Sequence, residues 1–292
     1  KVREIIHGTT AASNAIIEKK GTRTGLLTTR GFRDVLEIGR LRTPRLYDLT
    51  WRKPTPLVER ELRLEVTERV ATDGSVYQPL DENEAIEAIK RLIKKGVKSV
   101  AVCYINSFAN PLHELRTGEL IRSVAPHLSF SLSHQVLPEL REYERTSTTV
   151  INAYIRPIFD QYLAGLEDGL LRLGIEAPLL IMQSSGGATS SSLAREKPIY
   201  IVESGPAAGV MGALHLARRT GNRNVISFDM GGTTAKAATI EDGEVGLNSE
   251  YEVGGEMNMG HHLLKGGGYI LRVPSIELAE VGSGGGSIAW ID

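Results

Sequence analysis

The stretch VISFDMGGTTAKAATIEDGEV, residues 225–245, concentrates groups that can handle an anion. An apolar run leads to Asp229, followed by Gly231, Gly232, Thr233, Thr234 and Lys236, then a second extended run into the turn Asp242-Gly243. As a hairpin it has a small, donor-rich tip. Two glycines leave backbone N–H groups free to face an anion, the threonines add hydroxyls, and a carboxylate at the strand end can hold Mg²⁺ directly or through water. A phosphate suits such a tip. The plain alternative is an ordinary hairpin with a Gly- and Thr-rich turn that Asp229 caps.

Three further segments carry weaker signals. In HGTTAASNAIIEKKG, His7, Gly8, Thr9 and Thr10 precede a short helix whose free N–H groups and two neighbouring hydroxyls can take an anion or a carbonyl. The alternative there is a Thr N-cap beside a surface histidine. ESGPAAGVMGA opens a helix at Gly205 with small residues, which suits close approach of a nucleotide or tight helix–sheet packing equally. VGSGGGSIAW places Gly284, Gly285 and Gly286 between extended runs, where backbone can meet nucleotide or metal, but it is not a GxGxxG fingerprint and no long helix follows it. His261 and His262, with Glu256, Glu277 or Glu280, form a candidate metal set weakened by geometry, because adjacent residues of an extended stretch point to opposite faces. The chain has no P-loop, HExxH helix, GxSxG elbow or CxxC pair.

The patterning supplies elements to position these segments. Up to about Val136, TRTGLLTT reads as a strand, GFRDVLEIGR as a short helix, and RELRLEVTERV as a strand in which Leu62, Leu64 and Val66 recur with period two. A turn at Asp73-Gly74 follows, then a helix capped by Asp81 with Glu84 three residues on, stopped by Gly96, and the strand VKSVAVCYI. A helix through HELRTGELIRSVAP and a strand HLSFSLSHQV complete an α/β pattern. From Pro138 the texture changes to a long helical stretch that Pro157 kinks or breaks and Gly174 closes. APLLIMQS and IYIVES then read as strands, with Pro206 opening a helix to Arg219, and the remainder stays extended and turn-rich. Residues 1–137 and 138–292 are the expected domains.

Composition narrows the class further. A chain of 292 residues, 41% hydrophobic and 24% charged, can bury a sizeable core. With 34 Lys and Arg against 35 Asp and Glu, it carries no electrostatic footprint for nucleic acid or an anionic membrane. No run reaches bilayer-spanning length and the first residues lack a secretory pattern, so a cytoplasmic address is expected. The single cysteine, Cys103, excludes internal disulfides and reads as an inert core thiol. The 31 glycines cluster late, between apolar strands, a placement for backbone brought close to a ligand or to other backbone rather than for a flexible linker.

These blocks, in their order, resemble the hydantoinase A / 5-oxoprolinase family, which includes N-methylhydantoinase-like ATP-dependent amidohydrolases and the ATP-using subunits of acetone- and acetophenone-type carboxylases. HGTTAASNAIIEKKGTRTGLLTTRGFRDVLEIGR resembles the family's first block, and LREYERTSTTVINAYIRP, LLIMQSSGG, SGPAAGV, SFDMGGTT and PSIELAEVGSGGGSIAWID resemble later ones. The resemblance implies an α/β fold of actin-like (ribonuclease H-like) ATPase lobes closing on MgATP, with DMGGTT as the second of two phosphate loops. Lys236 stands where many members carry an acidic residue, and Glu277 where aspartate is common. The family's first phosphate loop and its region beyond SIAWID are not among these residues, so the chain reads as an internal, by itself inactive, fragment.

The implied activity is ATP-dependent hydrolysis of a cyclic amide of the hydantoin or 5-oxoproline type, through phosphorylation of the amide oxygen. In it Asp229 is catalytic, positioning Mg²⁺ or the attacking oxygen, Gly231, Gly232, Thr233 and Thr234 cradle phosphate, and Lys236, also catalytic, neutralises developing charge. His7, Gly8, Thr9, Thr10, Gly205, Gly284, Gly285 and Gly286 are the further nucleotide contacts. Two alternatives remain: an ATP-using carboxylase subunit, and a non-catalytic nucleotide-gated interaction protein. The implied partners are a small cyclic amide or ketone substrate and a hydantoinase B-type subunit or fused domain, with no nucleic acid and no membrane.

Overall fold

A computed structural model describes residues 2–40, 47–232, 234–254, 267–281 and 283–288. The chain begins with β1 (Ile5–His7) and α1 (Ala11–Ile17), then builds a sheet from β2 (Thr24–Thr29). After α2 (Val35–Ile38) come β3 (Arg63–Val66), the hairpin β4 (Arg69–Val70) and β5 (Val76–Gln78), α3 (Glu82–Lys94), β6 (Ser99–Cys103), α4 (Leu112–Val124), β7 (Ser129–Leu132) and α5 (Ser133–Val136). The sheet order is β3-β2-β6-β7, all parallel. Every residue of β2 and β6 is buried, the state expected of parallel strands covered on both faces. Leu92 of α3, Ile121 of α4 and Leu26, Leu27, Val100 and Val102 of the strands share one core. α3 starts as its sequence dictates: the Asp81 carboxylate accepts the Glu84 N–H at 2.9 Å, and Gly96 stops the helix at φ +76°.

The second half is organised by α6 (Glu142–Arg172), a single helix of 31 residues. Pro157 removes one helical hydrogen bond without breaking it, because the helix is held from Val150 to Leu163 by burial in two cores. Then follow β8 (Leu179–Met182), β9 (Ala188–Ser190), α7 (Ser191–Glu196), α8 (Ser204–Thr220), β10 (Val225–Met230) and β11 (Ala235–Glu241). Short strands complete it: β12 (Glu244–Val245), β13 (Leu247–Asn248), β14 (Tyr251–Val253), β15 (Tyr269–Leu271), β16 (Ser275–Ile276) and β17 (Ala279–Val281). β1 runs parallel to β8, with Ile5 opposite Leu179 and His7 opposite Ile181, so the first strand belongs to the second half's core. Among the described residues no helix is long and apolar enough to cross a membrane.

Two expected strands take other forms. HLSFSLSHQV is a strand only to Leu132, because the buried Glu114 carboxylate gathers the Ser133 hydroxyl (2.6 Å), the His134 N–H (2.9 Å) and the His134 ring Nδ1 (2.7 Å), turning the chain into α5. IYIVES begins as a 3-10 turn over Pro198–Ile201. Here Ser184 takes the place of a ladder partner: its N–H and hydroxyl both donate to the Tyr200 carbonyl at 2.8 Å, and the hydroxyl also reaches the Val202 carbonyl. Period two also leaves Arg63 outside, yet it is buried, donating to the Val58 carbonyl at 2.9 Å and pairing with Glu37 at 3.0 Å. Cys103 is buried, with Sγ 3.2 Å from the Thr146 hydroxyl.

Candidate functional site

β10 and β11 form the expected antiparallel hairpin, with Asp229 opposite Lys236 and Met230 opposite Ala235. The Gly231 N–H closes the tip on the Thr234 carbonyl at 2.9 Å. Asp229 is exposed, and among the described residues no donor or cation partners its carboxylate. A Cβ built on Gly232 meets nothing within 4 Å, so the tip faces open space there. Thr234 is half-buried, and Thr233 lies outside the described residues.

The second glycine loop is stacked on the first, backbone to backbone. The Gly285 N–H donates to the Gly231 carbonyl at 3.0 Å and the Gly286 N–H to the Gly232 carbonyl at 2.9 Å. A Cβ on Gly284 would stand 2.6 Å from the Gly231 oxygen, and one on Gly286 3.0 Å from the Gly232 oxygen, so only glycine permits this approach. The amides of Gly285 and Gly286 are thereby committed to fixing the DMGG turn.

Lys236 is committed as well. Its ammonium forms a buried ion pair with Glu203 and lies 3.5 Å from Glu280, the residue opposite it on β17. Glu203 sits in the left-handed region at φ +64°, immediately before α8, and its N–H donates to the Ser13 hydroxyl at 3.2 Å. The Tyr251 phenol stands beside these groups, its pKa raised by burial and by the charges of Glu203 and Glu280. Sequence reasoning did not single out Glu203; the signal available was an acidic residue between an apolar run and a Ser-Gly-Pro helix start.

The HGTT and ESGP segments meet at the same place. The Thr9 N–H donates to the Ser204 hydroxyl at 3.0 Å, and that hydroxyl donates to the Thr9 carbonyl at 3.0 Å. A Cβ on Gly8 would lie 3.3 Å from both Gly205 Cα and the Ser204 oxygen, while one on Gly205 would lie 3.5 Å from Thr10 Cγ2. Gly8 and Gly205 therefore serve first as a close crossing of two backbones. Thr9 Oγ1 accepts the Ala11 N–H at 3.1 Å, and Thr10 occupies the N-cap of α1 without a side-chain cap bond. His7 turns away to Tyr162, 2.7 Å from its hydroxyl, with burial lowering its pKa. Glu203, beside Ser204, links this crossing to the β11 limb of the glycine hairpin.

Among the described residues no group of three or more His, Cys, Asp and Glu side chains could hold a metal ion. The metal set built on His261, His262 and Glu256 lies outside the described residues; Glu280 is 3.5 Å from Lys236.

The geometry can be set beside known proteins. The family model described as Hydantoinase/oxoprolinase matches residues 145–292, and that of the Hydantoinase/oxoprolinase N-terminal region matches residues 1–125. The chain is 36% identical over 289 residues to caprolactamase subunit alpha of Pseudomonas jessenii, covering 98% of this chain and 40% of that protein. It is 33% identical over 301 residues to the acetophenone carboxylase gamma subunit of Aromatoleum aromaticum, covering 99% of this chain and 39% of that one. The crystal structure of ATP-dependent caprolactamase from P. jessenii superposes with a TM-score of 0.84 at 36% identity, over 99% of this chain and 40% of that chain. Nucleotide-free acetone carboxylase superposes with a TM-score of 0.80 at 26% identity, over 96% and 39%. The chain thus spans about two fifths of the length of these proteins. Its mixed α/β architecture is of the actin-like class that the family resemblance implied. With the two family models matched over nearly all of its length, the chain belongs to the hydantoinase/oxoprolinase family.

Proposed function

We propose that the chain is part of an enzyme that uses ATP to activate a small cyclic amide for hydrolysis, with the DMGG turn handling the phosphates. The observation that carries this reading is the exposed Asp229, without a partner among the described residues, beside a glycine tip whose Gly232 faces open space. That set fits a phosphate with Mg²⁺: Asp229 would hold the cation directly or through water, and, with the Gly231 N–H spent on the Thr234 carbonyl, the tip of Gly231, Gly232, Thr233 and Thr234 would cradle the phosphate through its remaining groups. MgATP supplies the phosphoryl group that turns the amide oxygen into a leaving group, which an unstrained lactam lacks. The protein's part is positioning. The stacked loop of Gly284–Gly286 fixes the tip, and the crossing of Gly8–Thr10 with Ser204–Gly205, at the start of the 17-residue α8, is tied to the β11 limb through the Glu203–Lys236 pair. Lys236, held by Glu203 and Glu280, acts here as a positioning residue for the β11 limb.

Similarity to a caprolactamase alpha subunit supports the amide reading. A carboxylase subunit acting on a ketone is the second reading, favoured by similarity to an acetophenone carboxylase gamma subunit. Both relatives are named as subunits, which supports a partner subunit or fused domain of the hydantoinase B type for the complete reaction. The separating experiment measures phosphate release by the full-length protein with its partner. Lactam-stimulated release without bicarbonate supports hydrolysis; release that needs a ketone and bicarbonate overturns it in favour of the carboxylase.

A further inference from the structure

The hairpin of β8 and β9, with α7 and the 3-10 turn after it, encloses a pocket of about 150 Å³ that the ATP reading leaves unused. Gln183, Thr189, Leu193, Lys197 and Tyr200 line it, all of them among the described residues. We propose that this pocket binds a small carboxylate, with the Lys197 ammonium taking its charge. The inference stands without the ATP reading.

The strand pairing builds one wall. Thr189 lies opposite Ile181, and Gln183 follows Ile181 by two residues, its N–H extending the ladder to the Gly187 carbonyl at 2.7 Å. The period of two therefore puts Thr189 and Gln183 on one face. Gly187 leaves space for the Gln183 side chain, because a Cβ there would stand 3.2 Å from its amide oxygen. The opposite wall is fixed as well. Ala194 of α7 and Ile199 and Ile201 of the 3-10 turn share the core of Ile181, and Ser184 ties its N–H and hydroxyl to the Tyr200 carbonyl. The pocket is held open by the fold itself.

Its polar ends are free. Among the described residues no carboxylate pairs with Lys197, and neither the Gln183 amide nor the Thr189 hydroxyl makes a hydrogen bond. The acids of the adjoining segments are spent elsewhere: Asp160 and Glu167 on Arg195, Glu139 on Arg272, and the Glu196 charge beside Arg156. The Tyr200 hydroxyl is committed to the Val136 carbonyl at 3.0 Å, which leaves its ring as wall. One cation and two uncommitted polar groups thus face the same space. A carboxylate satisfies all three, one oxygen on the ammonium and the pair shared between hydroxyl and amide. A phosphate dianion would bring a second charge with no second cation to meet it.

Size completes the description. A cavity of about 150 Å³ holds benzene, so the ligand has about six heavy atoms. Leu193 and the Tyr200 ring supply the apolar side, which suits a short aliphatic tail on the carboxylate. A nucleotide is excluded by volume.

Calorimetry of the full-length protein with butyrate and with butyramide, at one ionic strength, tests the proposal, since the two molecules share size and shape and differ in charge. Saturable butyrate binding, at least tenfold weaker for butyramide, is expected, with slower hydrogen exchange across residues 197–202. Lys197→Met weakens butyrate at least tenfold and leaves MgATP affinity as in the parent. If that variant melts early, Thr189→Val, which exchanges a hydroxyl for a methyl, replaces it and also weakens butyrate. No saturable butyrate binding, equal binding of butyramide, tighter binding of inorganic phosphate, or unchanged butyrate affinity in the folded variant overturns the proposal. MgATP is titrated separately, so its failure to bind overturns the ATP reading and leaves this one standing.

Discussion

Lys236 and Glu203 form a buried ion pair that joins the β11 limb of the glycine hairpin to the residue opening α8. The two positions are 33 residues apart, and each has few alternatives: Glu203 is pinned in a left-handed conformation, and Lys236 faces Glu280 across the neighbouring strand. The hairpin and the crossing of HGTT with ESGP are therefore one mechanical unit.

Breaking that pair from one side leaves a buried charge uncompensated. Lys236→Met is expected to destabilise the protein by about 3–5 kcal/mol, because Glu203 then faces Glu280 without a cation. Adding Glu203→Gln recovers part of the loss. Urea unfolding of the single and double variants checks this; a double variant as unstable as the sum of its parts contradicts it.

Two glycine-to-alanine changes should have opposite signs. Gly284→Ala puts a methyl 2.6 Å from the Gly231 oxygen, so the two loops must separate at a cost of about 1–3 kcal/mol. Gly165→Ala, within α6 and with nothing within 4 Å of the new methyl, should stabilise by about 0.5–1 kcal/mol. Thermal melting of both variants decides, and equal effects would count against the stacked-loop account.

The crossing of Gly8–Thr10 with Ser204–Gly205 depends on one hydroxyl that both accepts from and donates to Thr9. Ser204→Ala is expected to cost about 1–3 kcal/mol by leaving the Thr9 N–H and carbonyl unsatisfied. Faster hydrogen exchange at the Thr9 amide, with the α3 amides unchanged, is the matching signature.

Buried Glu68 predicts a pH dependence. Burial pushes its carboxyl above the ordinary range, against hydrogen bonds from Thr29 and His113 and with the Glu114 charge pushing the same way as burial. A folded-state pKa raised above the unfolded one gives stability that is complete below the unfolded value and lost as pH rises through the folded value. Glu68→Gln, which keeps an acceptor for Thr29, should therefore gain on the parent protein as pH rises from the ordinary glutamate range upward. Chemical denaturation at several pH values reads this, and a gap moving the opposite way contradicts it.

The N-terminal sheet was legible because its signals are local: the Asp81 cap, the Gly96 stop and the all-apolar β6 act within a few residues of themselves. The failures share a cause in distant partners. HLSFSLSHQV ends early because Glu114, one helix away, captures Ser133 and His134, and IYIVES turns because Ser184 takes its carbonyls. At the site, residue type showed that Gly284, Gly285 and Gly286 bring backbone close to something. That the something is the Gly231-Gly232 turn is a tertiary fact, as is the engagement of Lys236 by Glu203.

The central claim, that the Asp229 turn takes the phosphates of MgATP, is tested most directly by calorimetry of MgATP with the full-length protein and its Asp229→Ala variant, both shown folded by melting. Saturable binding by the parent, weakened by at least tenfold in the variant, is the predicted result. Equal affinity in the two proteins, or no binding by the parent, would contradict it and leave the glycine loops as packing devices.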